Sequence, residues 1–211
     1  LTPIAWALIA ATGLVGAADW FAVATSRRTL EYAAKPAVMI GLIAVAIAVE
    51  PVSPAERLFF IAALALGLLS DVFLMLPRDL FLAGLIAAFV EHVAYIAGFR
   101  ARDLHTGLLA IALAVALVSV AVVLPAVFKA LRKTHPSLVA PVIAYVAVFV
   151  IMVASAGGTG SGVALAGALL FFYSDALLAW NRFVKPVGWG RFVNIIAYHS
   201  GQALLVLSLV Y

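Results

Sequence analysis

The 211-residue sequence predicts an all-α fold, a polytopic membrane bundle of about eight transmembrane helices, on three observations. Two-thirds of the residues are hydrophobic, 10% are charged and the mean hydropathy is +1.22, which excludes an ordinary soluble domain. Apolar runs close to the roughly 20 residues that a helix needs to cross a hydrocarbon core recur along the whole chain. Strand-type alternation of the outer-membrane barrel kind is absent, and helices are then the structures that satisfy their own backbone polar groups in lipid.

The first run, about 3–23, ends before Arg27 and Arg28; it lacks a basic leading region and a small-residue cleavage site, and reads as a membrane helix and not as a signal peptide. The second, about 36–50, is the shortest and opens at Lys35-Pro36, where proline suits a first helical turn and lysine snorkels to headgroups. The third and fourth, about 57–76 and 80–99, are separated by Pro77 and Arg78. The fifth, about 107–124, precedes Lys129, Arg132 and Lys133. The sixth and seventh, about 138–156 and 162–181, flank Gly157-Gly158-Thr159-Gly160-Ser161-Gly162, the clearest turn, which joins two spans and is no phosphate loop. The eighth covers about 190–211. One membrane domain, 1–211, accounts for them all, with candidate repeat halves 1–104 and 105–211.

The connections after spans 1, 3, 5 and 7 hold ten of the 13 Lys and Arg residues, against Arg57, Arg100 and Arg102 on the other side. The positive-inside rule puts the ten-charge side in the cytoplasm and both termini outside. Trp20, Trp180 and Trp189 fall at that same boundary, as belt residues do. The net charge of +4 then describes a rim facing anionic lipid and needs no nucleic-acid partner. Abundant alanine suggests a bacterial source, hence the inner cell membrane. There is no cysteine, so thiolate and disulfide chemistry are excluded.

Within the apolar runs a short pattern repeats. Ser70-Asp71 is followed by Arg78, and Ser174-Asp175 by Arg182 at the same spacing, with Gly67 and Gly167 preceding and a histidine-bearing span, His92 or His199, following. Such weak internal symmetry is the mark of a duplicated membrane fold, here a parallel 4+4 repeat. Intramembrane carboxylates are functional by default. These two come at one depth, roughly 10 Å above the basic rim, each sharing a helix face with its arginine. The bland reading is helix packing or snorkelling toward a neighbouring cation.

The remaining polar residues complete a candidate pocket. His92 and Tyr95 share a face of span 4, while Glu91 points elsewhere and pairs with Tyr95 at i,i+4, or is a neutral acid bonded to a neighbouring helix. Asn194, Tyr198 and Gln202 form a polar stripe on span 8 that must face the interior, as interhelical glue or as a wet site. Asp19 and Lys35 lie near the inner ends of spans 1 and 2. Asp71, Glu91, His92, Asp175 and His199 are donors suited to a divalent ion, yet no local ligand spacing occurs, and no metal or cofactor is expected. His105 and His135 fall in loops.

The blocks from Gly67 to Pro77, Phe89 to Phe99 and Gly167 to Phe183, with Tyr198, Gln202 and Lys35-Pro36, resemble the YhhN family, whose animal members are the TMEM86 lysoplasmalogenases. Two residues depart from the family pattern: Glu91 stands where a small residue is usual, and His199 where a second tyrosine often follows Tyr198. The resemblance implies water-dependent hydrolysis of the vinyl-ether bond of a lysoplasmalogen, a membrane lipid, to a fatty aldehyde and a glycerophospho-base. That chemistry needs an acid to protonate carbon, an anion for the oxocarbenium ion and a base for water, tasks two carboxylates can divide. Asp71 and Asp175 are then the acid and base pair, with His92, Tyr95, Tyr198 and Gln202 orienting water or substrate, and Lys35, Asn181 and Arg182 holding phosphate. Ser70, Ser174, Glu91, His199 and Asp19 complete the pocket. A lipid or solute transporter without hydrolysis is the alternative, because duplicated spans are also a transporter trait.

Overall fold

A computed structural model describes residues 1–211. Eight helices are long and apolar enough to cross a membrane: α1 (Pro3–Ala24), α2 (Arg28–Ala48), α3 (Pro54–Met75), α4 (Phe81–Phe99), α5 (Thr106–Thr134), α6 (Val139–Gly158), α7 (Gly162–Ala179) and α8 (Gly190–Leu207). No strand is present. Three helices that start at the same end are capped by hydroxyls: Thr2, Ser53 and Ser161 accept from the amides of Ala5, Glu56 and Ala164. Each cap satisfies one of the four orphan N–H groups of a helix start. Pro3 and Pro54 occupy first-turn positions, where a missing N–H is no loss.

Two boundaries differ from the sequence expectation. Helix α2 begins at Arg28, so Pro36 lies inside it and not in its first turn. The polar turns before Lys35 are tied to the bundle at one face: Glu31 and Ala34 are buried, and Arg191 of α8 donates to Glu31 Oε1 at 2.6 Å. The missing amide of Pro36 leaves the Tyr32 carbonyl without its i+4 donor, a known way to bend a helix. Helix α5 runs on through Pro125 to Thr134, and Arg132 and Lys133 sit in its last turn, where cations complement the helix dipole.

The helices form a ring. α1 packs on α2, α2 on α3, α3 on α4, α4 on α6, α6 on α7 and α7 on α8, and α8 closes against both α1 and α2. α5 stands outside, against α6 and the π-helical turn Trp180–Val184 that ends α7. α3 and α7, the helices with the Ser-Asp pairs, each pack most extensively on the helix that follows. Large apolar side chains such as Leu14, Leu58, Val118 and Val122 face outward, while Asp19, Asp71, Glu91, His92 and Gln202 are buried. That inside-out polarity is what lipid demands.

Two contacts fix the far ends. Backbones of α7 and α8 approach so closely at Gly167 and Gly201 that a Cβ on Gly201 would lie 2.8 Å from the Phe171 nitrogen. Small residues at such crossings let helices associate in lipid. At the opposite end from the basic rim, Arg102 meets Glu56 Oε2 at 2.7 Å and donates to the carbonyl of Ser208 at 2.5 Å. This ties the α4–α5 connection to α3 and to the end of α8.

Candidate active site

Asp71 is delivered to the ring interior by α3, and its two oxygens are held by two other helices. Lys35 of α2 lies 2.7 Å from Oδ1, and the Tyr198 hydroxyl of α8 donates to Oδ2 at 2.9 Å. The Lys35 ammonium also sits 5.3 Å from the Tyr198 ring centroid, so cation and ring stack beside the carboxylate. Asp175 of α7 has no Lys or Arg partner; it accepts a hydrogen bond from the Tyr145 hydroxyl of α6, and His92 Nε2 lies 4.0 Å from its Oδ2. Tyr145 in turn lies 2.9 Å from His92 Nε2. A hydroxyl has one proton, so while it donates to Asp175 it accepts from a protonated Nε2.

The serines of the two pairs join helices. Ser70 donates to the Gly84 carbonyl on α4 at 2.9 Å, and Ser174 receives the Asn194 amide of α8 on Oγ and on its carbonyl. Behind them, Gln202 donates to Glu91 Oε1 at 2.6 Å and accepts from Tyr95 at 2.5 Å. Gly67 makes room for this, because a Cβ there would fall 2.5 Å from Glu91 Oε1.

A cavity runs through this cluster. Asp71, Asp175, Lys35, Glu91, Tyr145, Asn194 and Tyr198 give it one polar side, and Leu85, Val123, Val127, Phe149, Phe171 and Phe172 supply apolar walls. At the basic end it adjoins a second, more polar cleft, with which it shares Lys35, Leu74, Phe81, Leu178 and Asn194. Arg28, Glu31, Tyr32, Asn181, Arg182 and Arg191 line that vestibule.

Apart from Asn181 and Arg182, which line the vestibule, the expected residues divide into three groups. Asp71, Asp175, Lys35, Ser70, Ser174, Glu91 and Tyr198 line the cavity. His92, Tyr95 and Gln202 do not; all three are fully buried one layer behind, and His92 meets the cavity lining at Tyr145, 2.9 Å from Nε2, and at Asp175, 4.0 Å away. Asp19 and His199 form a separate buried cluster, in which Trp20 donates to His199 Nδ1 at 3.2 Å and His199 Nε2 is 3.8 Å from Asp19.

Several expected pairings are replaced. Arg78 does not serve Asp71, because α3 has ended at Met75 and Lys35 takes the carboxylate. Lys35 accordingly pairs inward and does not snorkel to headgroups. Arg182 does not serve Asp175, because α7 breaks into the π turn and its guanidinium goes to Asp79 at 2.9 Å and over the Phe81 ring at 4.1 Å. The exposed Asp79 carboxyl is held below its ordinary value of 3.8, first by the hydrogen bond from Arg182 and then by its charge. Glu91 and Tyr95 meet through Gln202 and not directly. Asn181 accepts from the Val187 amide at 2.9 Å, capping the turn after α7.

Tyr145 escapes the sequence reading altogether; its signal is a lone tyrosine in the middle of an otherwise apolar span. No three His, Asp or Glu side chains converge at metal-binding distance.

The family model described as "YhhN family" matches residues 30–209. The chain is similar to the lysoplasmalogenase TMEM86B of Sus scrofa, 34% identical over 150 residues, which covers 69% of this chain and 61% of that protein. It is likewise similar to the lysoplasmalogenase TMEM86B of Homo sapiens, 32% identical over 146 residues, with the same shares of each chain. The chain thus spans about 61% of the length of these relatives. No solved structure matches it.

Proposed function

The chain belongs to the YhhN family, and from that premise we propose that it is a membrane-embedded hydrolase cleaving the vinyl-ether bond of a lysoplasmalogen or related lysolipid. The observation that carries this reading is that Asp71 and Asp175, from two different helices, line one cavity with an apolar wall for a single chain. The products are a fatty aldehyde and a glycerophospho-base. Water supplies the oxygen: the β-carbon takes a proton, water adds to the resulting oxocarbenium carbon, and the hemiacetal collapses with its hydroxyl proton passing to the departing alcohol.

The partners of the carboxylates support a division of labour. Asp71, ion-paired to Lys35 and bonded to Tyr198, serves as the carboxylate that stabilises the cation and takes the proton of water. Asp175, with a tyrosine and no Lys or Arg beside it, serves as the group that delivers the proton to carbon. Tyr145 and, behind it, His92 act as positioning residues, holding the Asp175 carboxyl in one orientation. Tyr95 and Gln202 position Glu91, whose carboxyl borders the cavity. Arg182 and Asn181 line the vestibule, where the phosphate would lie. On the positive-inside argument this end faces the cytoplasm and the termini face out.

The test is fatty aldehyde release from a lysoplasmalogen by the purified protein and by its Asp71→Asn and Asp175→Asn variants. Loss of at least about a hundredfold in both is expected, since each removes a group used in the slow step. Unchanged release in both variants rules out the pair.

A further inference from the structure

The vestibule carries an arrangement of charge that the proposed reaction leaves unused. Four basic side chains line it: Arg28, Lys35, Arg182 and Arg191. Three are engaged, Lys35 with Asp71, Arg182 with Asp79 and Arg191 with Glu31. Arg28 forms no ion pair and no side-chain hydrogen bond. Its neighbour Arg27 is turned away, its guanidinium 5.2 Å from the centroid of Phe21, an exposed ring on α1. The tight α1–α2 turn separates the two directions: Ser26 adopts a left-handed φ of 57° and the Arg27 amide bonds back to the Ala22 carbonyl at 2.8 Å.

Arg191 is only partly spent. Glu31 occupies one guanidinium nitrogen, Nη2, and the side chain is 58% exposed. A guanidinium has five N–H donors in a fixed fork, so a free edge remains for a second oxygen of the same anion. The vestibule adjoins the apolar cavity at Lys35, Phe81 and Asn194. An anion here is therefore within reach of the end of a chain lying in the cavity.

We propose that Arg28, with the free edge of Arg191, is the subsite for the headgroup phosphate, and that it selects phosphodiester-bearing single-chain lipids over uncharged ones. This rests on the lysolipid reading above. The phosphate receives charge-assisted bonds from two arginines on different helices, α2 and α8. It fixes the depth of the substrate while leaving the Lys35–Asp71 and Arg182–Asp79 pairs in place.

The experiment measures binding, in detergent micelles, of a saturated-ether lysolipid that cannot be hydrolysed at its ether, compared with the alkylglycerol of the same chain that lacks phosphate. Wild type should prefer the phosphate-bearing ligand by roughly ten- to a hundredfold, the range for hydrogen bonds to charged groups. Arg28→Gln should lose about tenfold of that preference, and Arg28→Lys less, because a point charge replaces the fork. Arg27→Gln, outside the vestibule, should keep the wild-type preference. Retention of the full preference in Arg28→Gln overturns the proposal. So does an equal loss in Arg27→Gln, which would make the effect one of surface charge, and so does full displacement of the ligand by millimolar inorganic phosphate, which would make the site one for free phosphate. Because the ligand is not cleaved, absent aldehyde release would strike the proposed reaction alone, and an Arg28-independent preference would strike this subsite alone.

Discussion

The Lys35–Asp71 pair offers the sharpest test of how the interior is held. Its atoms are 2.7 Å apart, and the side chains are 14% and 6% exposed. At that separation the Coulomb attraction is about 6 kcal/mol for an effective dielectric constant of about 20. Desolvation of both groups takes back a large share of it, so the pair by itself stabilises little. Breaking it is another matter. Lys35→Met keeps most of the stem and deletes the ammonium, leaving Asp71 buried with only the Tyr198 hydroxyl. An uncompensated charge of this kind costs about 3–5 kcal/mol. Adding Asp71→Asn removes the charge while its amide oxygen still accepts from Tyr198, so the double variant should be more stable than Lys35→Met alone. Thermal unfolding of the solubilised protein, followed by the fluorescence of its four tryptophans, should show a fall on the order of 10 °C for Lys35→Met and recovery of at least half in the double variant. A double variant no better than the single one would mean that Asp71 does not carry the charge that Lys35 neutralises.

Three further outcomes are expected. Tyr145→Phe removes the hydroxyl shared by Asp175 and His92; unfolding should show a loss of about 1–3 kcal/mol, and aldehyde release should fall at least about tenfold. Gly201→Ala places a methyl 2.8 Å from the Phe171 nitrogen and 3.0 Å from the Gly167 carbonyl, backbone atoms that cannot swing aside; it should cost about 1–3 kcal/mol, whereas Gly162→Ala, with nothing within 4 Å of the new Cβ, should stay within about 0.5 kcal/mol of wild type. The Asp79 carboxyl is depressed below 3.8 by Arg182, so its stabilising contribution is present above that value and is lost as pH falls through the lower folded value. The melting difference between wild type and Asp79→Asn should hold constant from about pH 5 to 8 and vanish below the depressed value; a difference that persists there would show that the ion pair is not its source.

Hydropathy made the eight spans legible, since each supplies enough apolar residues to cross lipid. Its errors fall where polar residues are helical. The first turns of α2 carry Arg28 and Glu31 and look like a loop, but Arg191, about 160 positions away in sequence, buries Glu31. The last turns of α5 carry Lys129, Arg132 and Lys133, which look like a connection and are the end of the helix. Matched spacing pointed to Asp71 and Asp175 as residues of one site, and both reach one cavity. The same spacing misassigned their cations, because it assumes helices that continue through Arg78 and Arg182, and neither does. A single sequence cannot distinguish Tyr145 from an aromatic packing residue, nor tell that His92 lies behind it, since depth within a ring depends on which helices are neighbours. The duplication suggested by the Ser-Asp pairs is a statement about ancestry, and helix packing alone does not establish it.

Helix α8 works as a key cut for three wards. Asn194, Tyr198 and Gln202 recur every fourth residue, and each engages a different helix: Ser174 on α7, Asp71 on α3, and Glu91 with Tyr95 on α4. A slip of one residue moves every side chain 1.5 Å along the axis and about 100° around it, so all three engagements fail together and no partial misregister is stable. Arg102, gripping the Ser208 carbonyl at the far end, is the stop that sets how far the key enters. Deleting or inserting one residue between Asn194 and Gln202 would therefore leave at least one of Ser174, Asp71 and Glu91 without its partner, without altering any of them.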